Sequence, residues 1–250
     1  MKATLIGHFH DDNAVANFAR KSFGDDAENY TDEQNARLIK FLARGTSVSD
    51  WEAMTEQVLN AESKATAHDL LVYARKIPEH WAPFGHPHVS LNIEAPIPIA
   101  RQMFKHKVGM VESEESRRYI SIEPQFYYPE FWRNAADNVK QGSSDQTSKY
   151  NEQAKELYKK HCNDSRDLYF KFIGLGVCPE QARFILPLGT EVRWSLTGSL
   201  YAFANLYNQR SDSHAASHAQ KEIQELAGDI NKIMIKLYPV SWAALTQGEY

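Results

Sequence analysis

Apolar positions along this chain follow two periods. His88 to Glu94 alternates, with Val89, Leu91 and Ile93 on one side and His88, Ser90, Asn92 and Glu94 on the other. That is the period of a strand with one buried face. Thr4 to His8 reads as a second short strand. Elsewhere the spacing is helical. Asn13 to Ser22 carries Ala14, Val15, Phe18 and Ala19 on one stripe, and Thr31 to Arg44 opens with Thr31 as N-cap and Asp32 and Glu33 at the positive end of the dipole. Ser47 to Arg75 is polar and alanine-rich; it is expected to be helical, an insertion (about 47–75) or lid outside the core. Pro96 and Pro98 stop the alternating strand and start a helix expected to run to about Lys107, with Gly109 ending it.

Arg118 to about Ile122 reads as extended again, with Arg118, Ile120 and Ile122 on one face. Ser116 joins that face if the strand begins early, which would project a hydroxyl and a guanidinium together, a good arrangement for a phosphate. Gln141 to Ser148 reads as a loop, followed by a long helix to about Ile173 and a short one from Pro179 through Phe184. Gly198 to Gln209 is expected to be helical, with Leu200, Phe203, Ala204 and Tyr207 on its core stripe. The last long helix is placed at His214 to Leu237, carrying Ala219, Ile223, Leu226, Ile230 and Ile233, and Pro239 ends it. Helices scattered around few strands favour an α+β fold over a doubly wound sheet.

Composition narrows the function classes. With 250 residues, 42% hydrophobic and 24% charged, the chain suits one compact catalytic domain spanning 1–250, although its length would also allow two. A net charge of −4 argues against a general nucleic-acid binder and leaves room for a local cationic pocket. No apolar run approaches a membrane span, and the stretch Met1 to Gly7 is too short for a signal peptide, so a cytoplasmic protein is expected. Cys162 and Cys178 form no CxxC and imply neither zinc nor a disulfide framework. His80, His86 and His88 could be read as metal ligands; their alternate placement beside a strand favours polar-face histidines, and no metal is expected.

The chemistry concentrates in Arg101-Gln-Met-Phe-Lys-His-Lys-Val-Gly-Met-Val-Glu-Ser-Glu-Glu-Ser-Arg-Arg-Tyr119. It packs together cations, a histidine, carboxylates and hydroxyls, interrupted by Gly109. A solvated helix face could be as charged but would lack the glycine. Within it, Lys105-His106-Lys107 and Ser113-Glu114-Glu115-Ser116-Arg117-Arg118-Tyr119 resemble the Arg-His-Arg and Asn-Glu-x-Ser-x-Arg-Tyr halves of the signature of flavin-dependent thymidylate synthases. The spacer is one residue longer than the common form. Further blocks follow in the family's order: His80-Trp-Ala-Pro-Phe-Gly-His86 upstream, then Ala182-Arg183-Phe184-Ile185-Leu186-Pro187-Leu188, Trp194 to Leu200 as the start of the following helix, Asn205 to Asp212 with Arg210, and His218-Ala-Gln-Lys-Glu-Ile223. The resemblance covers most of the chain apart from Ser47 to Arg75.

The resemblance implies a small central antiparallel sheet flanked by several helices. It implies conversion of dUMP to dTMP with methylenetetrahydrofolate as carbon donor, FAD as hydride donor and NADPH as its reductant, in a homotetramer. No protein nucleophile is needed, since flavin and folate carry the difficult chemistry. By the same resemblance Gln102, Glu114, Ser116, Arg118 and Arg183 contact dUMP, and Arg210 is the catalytic arginine that favours the ionised pyrimidine. His80, Lys105, His106, Lys107, Glu114, Ser199, Tyr201, Asn205 and His218 fall at FAD positions, with His214 and His218 both open for the family's histidine because Ser-His-Ala is duplicated there.

The departures gather on the cofactor side. Lys105 and Lys107 replace arginines, Ser113 an asparagine, Ala82 a hydroxyl residue, and Ser199 and Tyr201 an Asn and an Arg. Such changes are compatible with a divergent or viral member, whose compartment would be the host cytoplasm. They also leave room for a nucleotide- or nucleic-acid-binding homologue that has lost flavin chemistry. Without the family match, Arg118 and Arg183 read as surface ion-pair partners.

Overall fold

The computed structural model describes residues 1–45, 48–74, 80–136, 143–211 and 219–246. In chain order the elements are β1 (Lys2–Phe9), α1 (Asp12–Lys21), α2 (Asp32–Arg44), α3 (Val48–Leu59), α4 (Lys64–Ala74), α5 (Ala82–Gly85), β2 (His88–Pro96), α6 (Ile97–Met103), β3 (Met110–Glu114), β4 (Arg133–Ala135), β5 (Ser143–Thr147), α7 (Asn151–Gly174), α8 (Pro179–Ala182), β6 (Glu191–Ser199), α9 (Leu200–Arg210), α10 (Lys221–Leu237) and α11 (Pro239–Thr246). The class is α+β, with a small antiparallel sheet.

Two compact units are present. The first is Met1–Ile6, Ser90–Thr197 and Leu206–Ile230; the second is Gly7–Val89, Gly198–Asn205 and Asn231–Tyr250.

In the first unit the strands lie in the order β1-β2-β6-β3. Side chains across β2 and β6 identify the register. Ser90 meets Thr197 at 2.8 Å, Ser195 Oγ donates to Asn92 at 3.1 Å, and Arg193 Nε donates to Glu94 at 3.0 Å. Partner numbers run in opposite directions, so the pair is antiparallel. These polar residues occupy one face; Leu91, Ile93, Val192, Trp194 and Leu196 are buried on the other. The segment at 125–127 runs beside 189–191, through Glu191 N–H to the Gln125 carbonyl at 2.8 Å and Tyr127 N–H to the Gly189 carbonyl at 2.9 Å. Gly189 is needed there because any Cβ would collide with the Tyr158 hydroxyl of α7.

The second unit is mainly helical, with α1, α2 and α11 packed together and α3 against α4. Its helices are capped by local chemistry. Asp11 accepts from Ala14 N–H, and Thr31 and Gln34 form a reciprocal capping box. Gly45 closes α2 at φ +73°. Asp12, in the first turn of α1, accepts from the backbone N–H groups of Val240 (2.8 Å) and Ser241 (2.9 Å) and so caps α11. Helices α9 and α10 contribute residues to both units; along their stripes Leu200, Phe203, Ala204, Ile223, Leu226 and Ile230 are buried as expected, while Tyr207 and Ile233 are only half-buried.

Several expected elements differ. Arg118 to Ile122 is not a strand: residues 116–119 form a turn, and the strand precedes it as β3. Met110 is the only buried residue of β3, so no apolar alternation marks it. Trp194 to Ser199 is strand β6 rather than the start of a helix, which begins only at Leu200; Val192, Trp194 and Leu196 do alternate with Arg193, Ser195 and Thr197. The helix after Pro96 stops at Met103, well before Lys107. Ser143–Thr147, expected as loop, pairs with β4. The last long helix begins at Lys221, and its expected start at His214 lies outside the described residues.

Candidate functional site

The first unit gathers most of the charged residues singled out above. The turn at 116–119 is closed by Tyr119 N–H donating to the Ser116 carbonyl at 3.0 Å, while Arg118 N–H donates to Ser116 Oγ at 3.3 Å. The turn brings the Ser116 hydroxyl beside the Arg118 backbone, in place of the strand face that Ser116 and Arg118 were expected to share. Arg118 Nε pairs with the Glu180 carboxylate at 3.1 Å, and Arg183 Nε donates to the Glu180 carbonyl at 3.1 Å. Two arginines 65 positions apart thus converge on one residue of α8. The Arg118–Glu180 pair is about half exposed on both sides. Such pairs contribute about 0–1 kcal/mol. A phosphate offering stronger charge-assisted bonds could displace the carboxylate at small cost.

Arg210, the last residue of α9, donates from Nε to His106 Nε2 at 3.0 Å. The acceptor must be the unprotonated nitrogen, which places the imidazole proton on Nδ1. Burial, and after it the neighbouring Arg210 charge, hold His106 below the usual 6.5 and keep it neutral. Glu114 moves the other way. Partial burial pushes its carboxyl above the usual range, against the pull of Arg183 and Arg101 and with the help of Glu112 and Glu115. A carboxyl raised by desolvation with two guanidinium groups nearby is a common signature of a binding or reacting centre.

Gln102, on α6, donates from Nε2 to Gln220 Oε1 at 2.8 Å. Lys105 is exposed in the turn after α6. Lys107 is engaged by Glu112 and lies 5.8 Å from the Phe104 ring centroid. Four further candidates belong to the second unit. His80 is exposed, its ring stacked on Phe41 at 5.8 Å. Ser199 is buried and caps α9, its Oγ accepting from Ala202 N–H at 3.2 Å. Tyr201 lies 6.1 Å from the exposed Trp81 ring, and Asn205 is half-buried. His214 and His218 lie outside the described residues.

Sequence reasoning missed Glu180, which joins the two arginines, and Arg101, which acts on Glu114. Only their nearness in the chain to Arg183 and Gln102 could have drawn attention to them. It also missed a cavity of about 360 Å³ lined by Tyr127, Trp132, Arg133, Tyr158, Gln220 and Glu222, among others. Among the described residues no cluster of His, Cys, Asp and Glu could hold a metal ion. No helix there is long and apolar enough to cross a membrane.

The family described as thymidylate synthase complementing protein matches residues 4–240. A flavin-dependent thymidylate synthase of Thermosipho melanesiensis is 33% identical over 173 residues, covering 69% of this chain and 73% of the relative. The enzyme of that description from Thermus thermophilus is 28% identical over 246 residues, covering 97% and 74%. Among solved structures, a UMP/dUMP methylase, PolB, from Streptomyces cacaoi bound with 5-Br dUMP superposes with a TM-score of 0.74 at 24% identity, over 97% of this chain and 93% of the other. At that identity the likeness shows the fold.

Proposed function

This chain belongs to the flavin-dependent thymidylate synthase family, and on that premise we propose that it methylates dUMP to dTMP reductively. The carbon comes from methylenetetrahydrofolate and the hydride from FAD, which NADPH reduces. FAD supplies the hydride chemistry when bound. The cations at the candidate positions Lys105 and Lys107 fit an anionic cofactor of this kind.

The observation that carries the reading is the meeting of Arg118 and Arg183 at Glu180, with the Ser116 hydroxyl on the Arg118 backbone, in the same unit as the Arg210–His106 pair. The Ser116 hydroxyl and the two guanidinium groups hold the nucleotide phosphate, taking the place of the Glu180 carboxylate. Arg210 faces the pyrimidine, where its fixed positive charge stabilises the ring as it gains negative charge. Neutral His106 orients that guanidinium by accepting from Nε without adding a second charge. Glu114, whose carboxyl burial pushes above its usual range, would contact the nucleotide and the flavin. The assembly is a homotetramer.

Release of tritium from dUMP labelled at C5, measured with FAD, NADPH and methylenetetrahydrofolate supplied, tests the reading. Release coupled to dTMP formation is the expected result. The engagement of Lys107 by Glu112 favours one second reading, a nucleotide-binding homologue without flavin chemistry. A colourless protein that binds dUMP and releases no tritium would select it.

A further inference from the structure

Gln102 is tied to a polar side chain that is not among the nucleotide contacts. Its Nε2 donates to Gln220 Oε1 at 2.8 Å. Two residues on, Glu222 lies in the first turn of α10 and accepts two bonds from Arg133 Nη2, both 2.9 Å long. The Arg133 and Glu222 side chains are only 14% and 12% exposed. Burial pushes the Glu222 carboxyl up, yet the Arg133 guanidinium, the residue's own backbone N–H and the Gln220 amide outweigh it and hold the carboxyl below its usual range. Next to Arg133, the Trp132 backbone N–H is fixed by Asn151 Oδ1 at 2.8 Å, which joins β4 to the start of α7. A charge pair this buried is costly to break by removing one partner. It differs in kind from the half-exposed Arg118–Glu180 pair, which a ligand can open.

We propose that the Arg133–Glu222 pair and Gln220 act together as a positioning relay that holds the Gln102 amide in one orientation for the nucleotide. The two ends of a side-chain amide are alike in shape and opposite in hydrogen-bonding sense, so an amide without a fixed partner presents either end. Donation to Gln220 settles which end of Gln102 is engaged before any nucleotide arrives. The Gln220 carbonyl accepts from the Ile223 and Gln224 N–H groups at 3.1 Å each, so its place at the start of α10 is fixed beside Glu222, which Arg133 holds from 89 positions away in the chain. Gln220 touches neither nucleotide nor cofactor in this arrangement; it acts through Gln102. The proposal rests on the functional reading above, in which Gln102 contacts dUMP.

The test is calorimetric titration of dUMP into the wild type, Gln220→Leu, Gln102→Leu and the double variant, with melting temperatures recorded for each. Gln220 is exposed, so its replacement leaves the fold intact. Loss of preorganisation at one rotamer-rich side chain predicts a dissociation constant raised about fivefold in Gln220→Leu at unchanged melting temperature. Adding Gln220→Leu to Gln102→Leu is expected to cost no further affinity, because its effect runs through Gln102. An unchanged constant in the single variant, or losses that add in the double variant, would overturn the relay while the wild type still binds dUMP. Failure of the wild type to bind dUMP would overturn the functional reading and the relay together.

Discussion

Arg210 and His106 make a checkable statement at the scale of single residues. Burial first, and the Arg210 charge second, hold the imidazole below 6.5. As pH falls, the unfolded chain therefore takes up this proton before the folded one does. The stability linked to His106 is complete above about 6.5 and is lost as pH drops from there toward the folded value. Protonation also removes the lone pair that accepts from Arg210 Nε. Histidine NMR titration is expected to place His106 below 6.5, and Arg210→Ala should move it upward only part of the way, since burial is the larger cause. Titration at or above 6.5 in the wild type would refute the assignment. The sequence displayed both residues in recognisable motifs, but not their bond, because 104 positions separate them. Glu180 shows the limit more sharply: a carboxylate three residues before an arginine is ordinary in any helix, and only folding brings Arg118 to it.

Among the elements, those with end signals were legible and those without were not. Thr31 and the proline pair at 96 and 98 marked helix starts, and each helix begins within a residue or two of its signal. β2 was plain because its alternation is unbroken. β3 was hidden because one buried methionine sets no period, and β4 and β5 are short strands with little burial of their own. The join between α1 and α11 was invisible, because a side chain in one helix caps another 228 positions away. Asp12→Ala removes both acceptors and is expected to cost about 1–2 kcal/mol of stability in urea denaturation. Asp12→Asn keeps one acceptor oxygen and should lose less. Equal stability of wild type and Asp12→Ala would show that α11 needs no cap.

For the molecule as a whole, the proposed homotetramer predicts a sedimentation mass four times the 28.6 kDa of one chain. A mass matching one chain would sink it. Neither compact unit is a continuous stretch of sequence; β1, β2, β6, α9 and α10 each contribute residues to both. That interleaving was not legible either, since composition has no boundary along the chain to mark it. Its consequence lies in synthesis. A ribosome delivers Val240 228 residues after Asp12, so the cap on α11 cannot form until that whole stretch has been made. Prematurely terminated products would carry the early helices of the second unit without the segment that closes them, and would be ready substrates for chaperones and proteases.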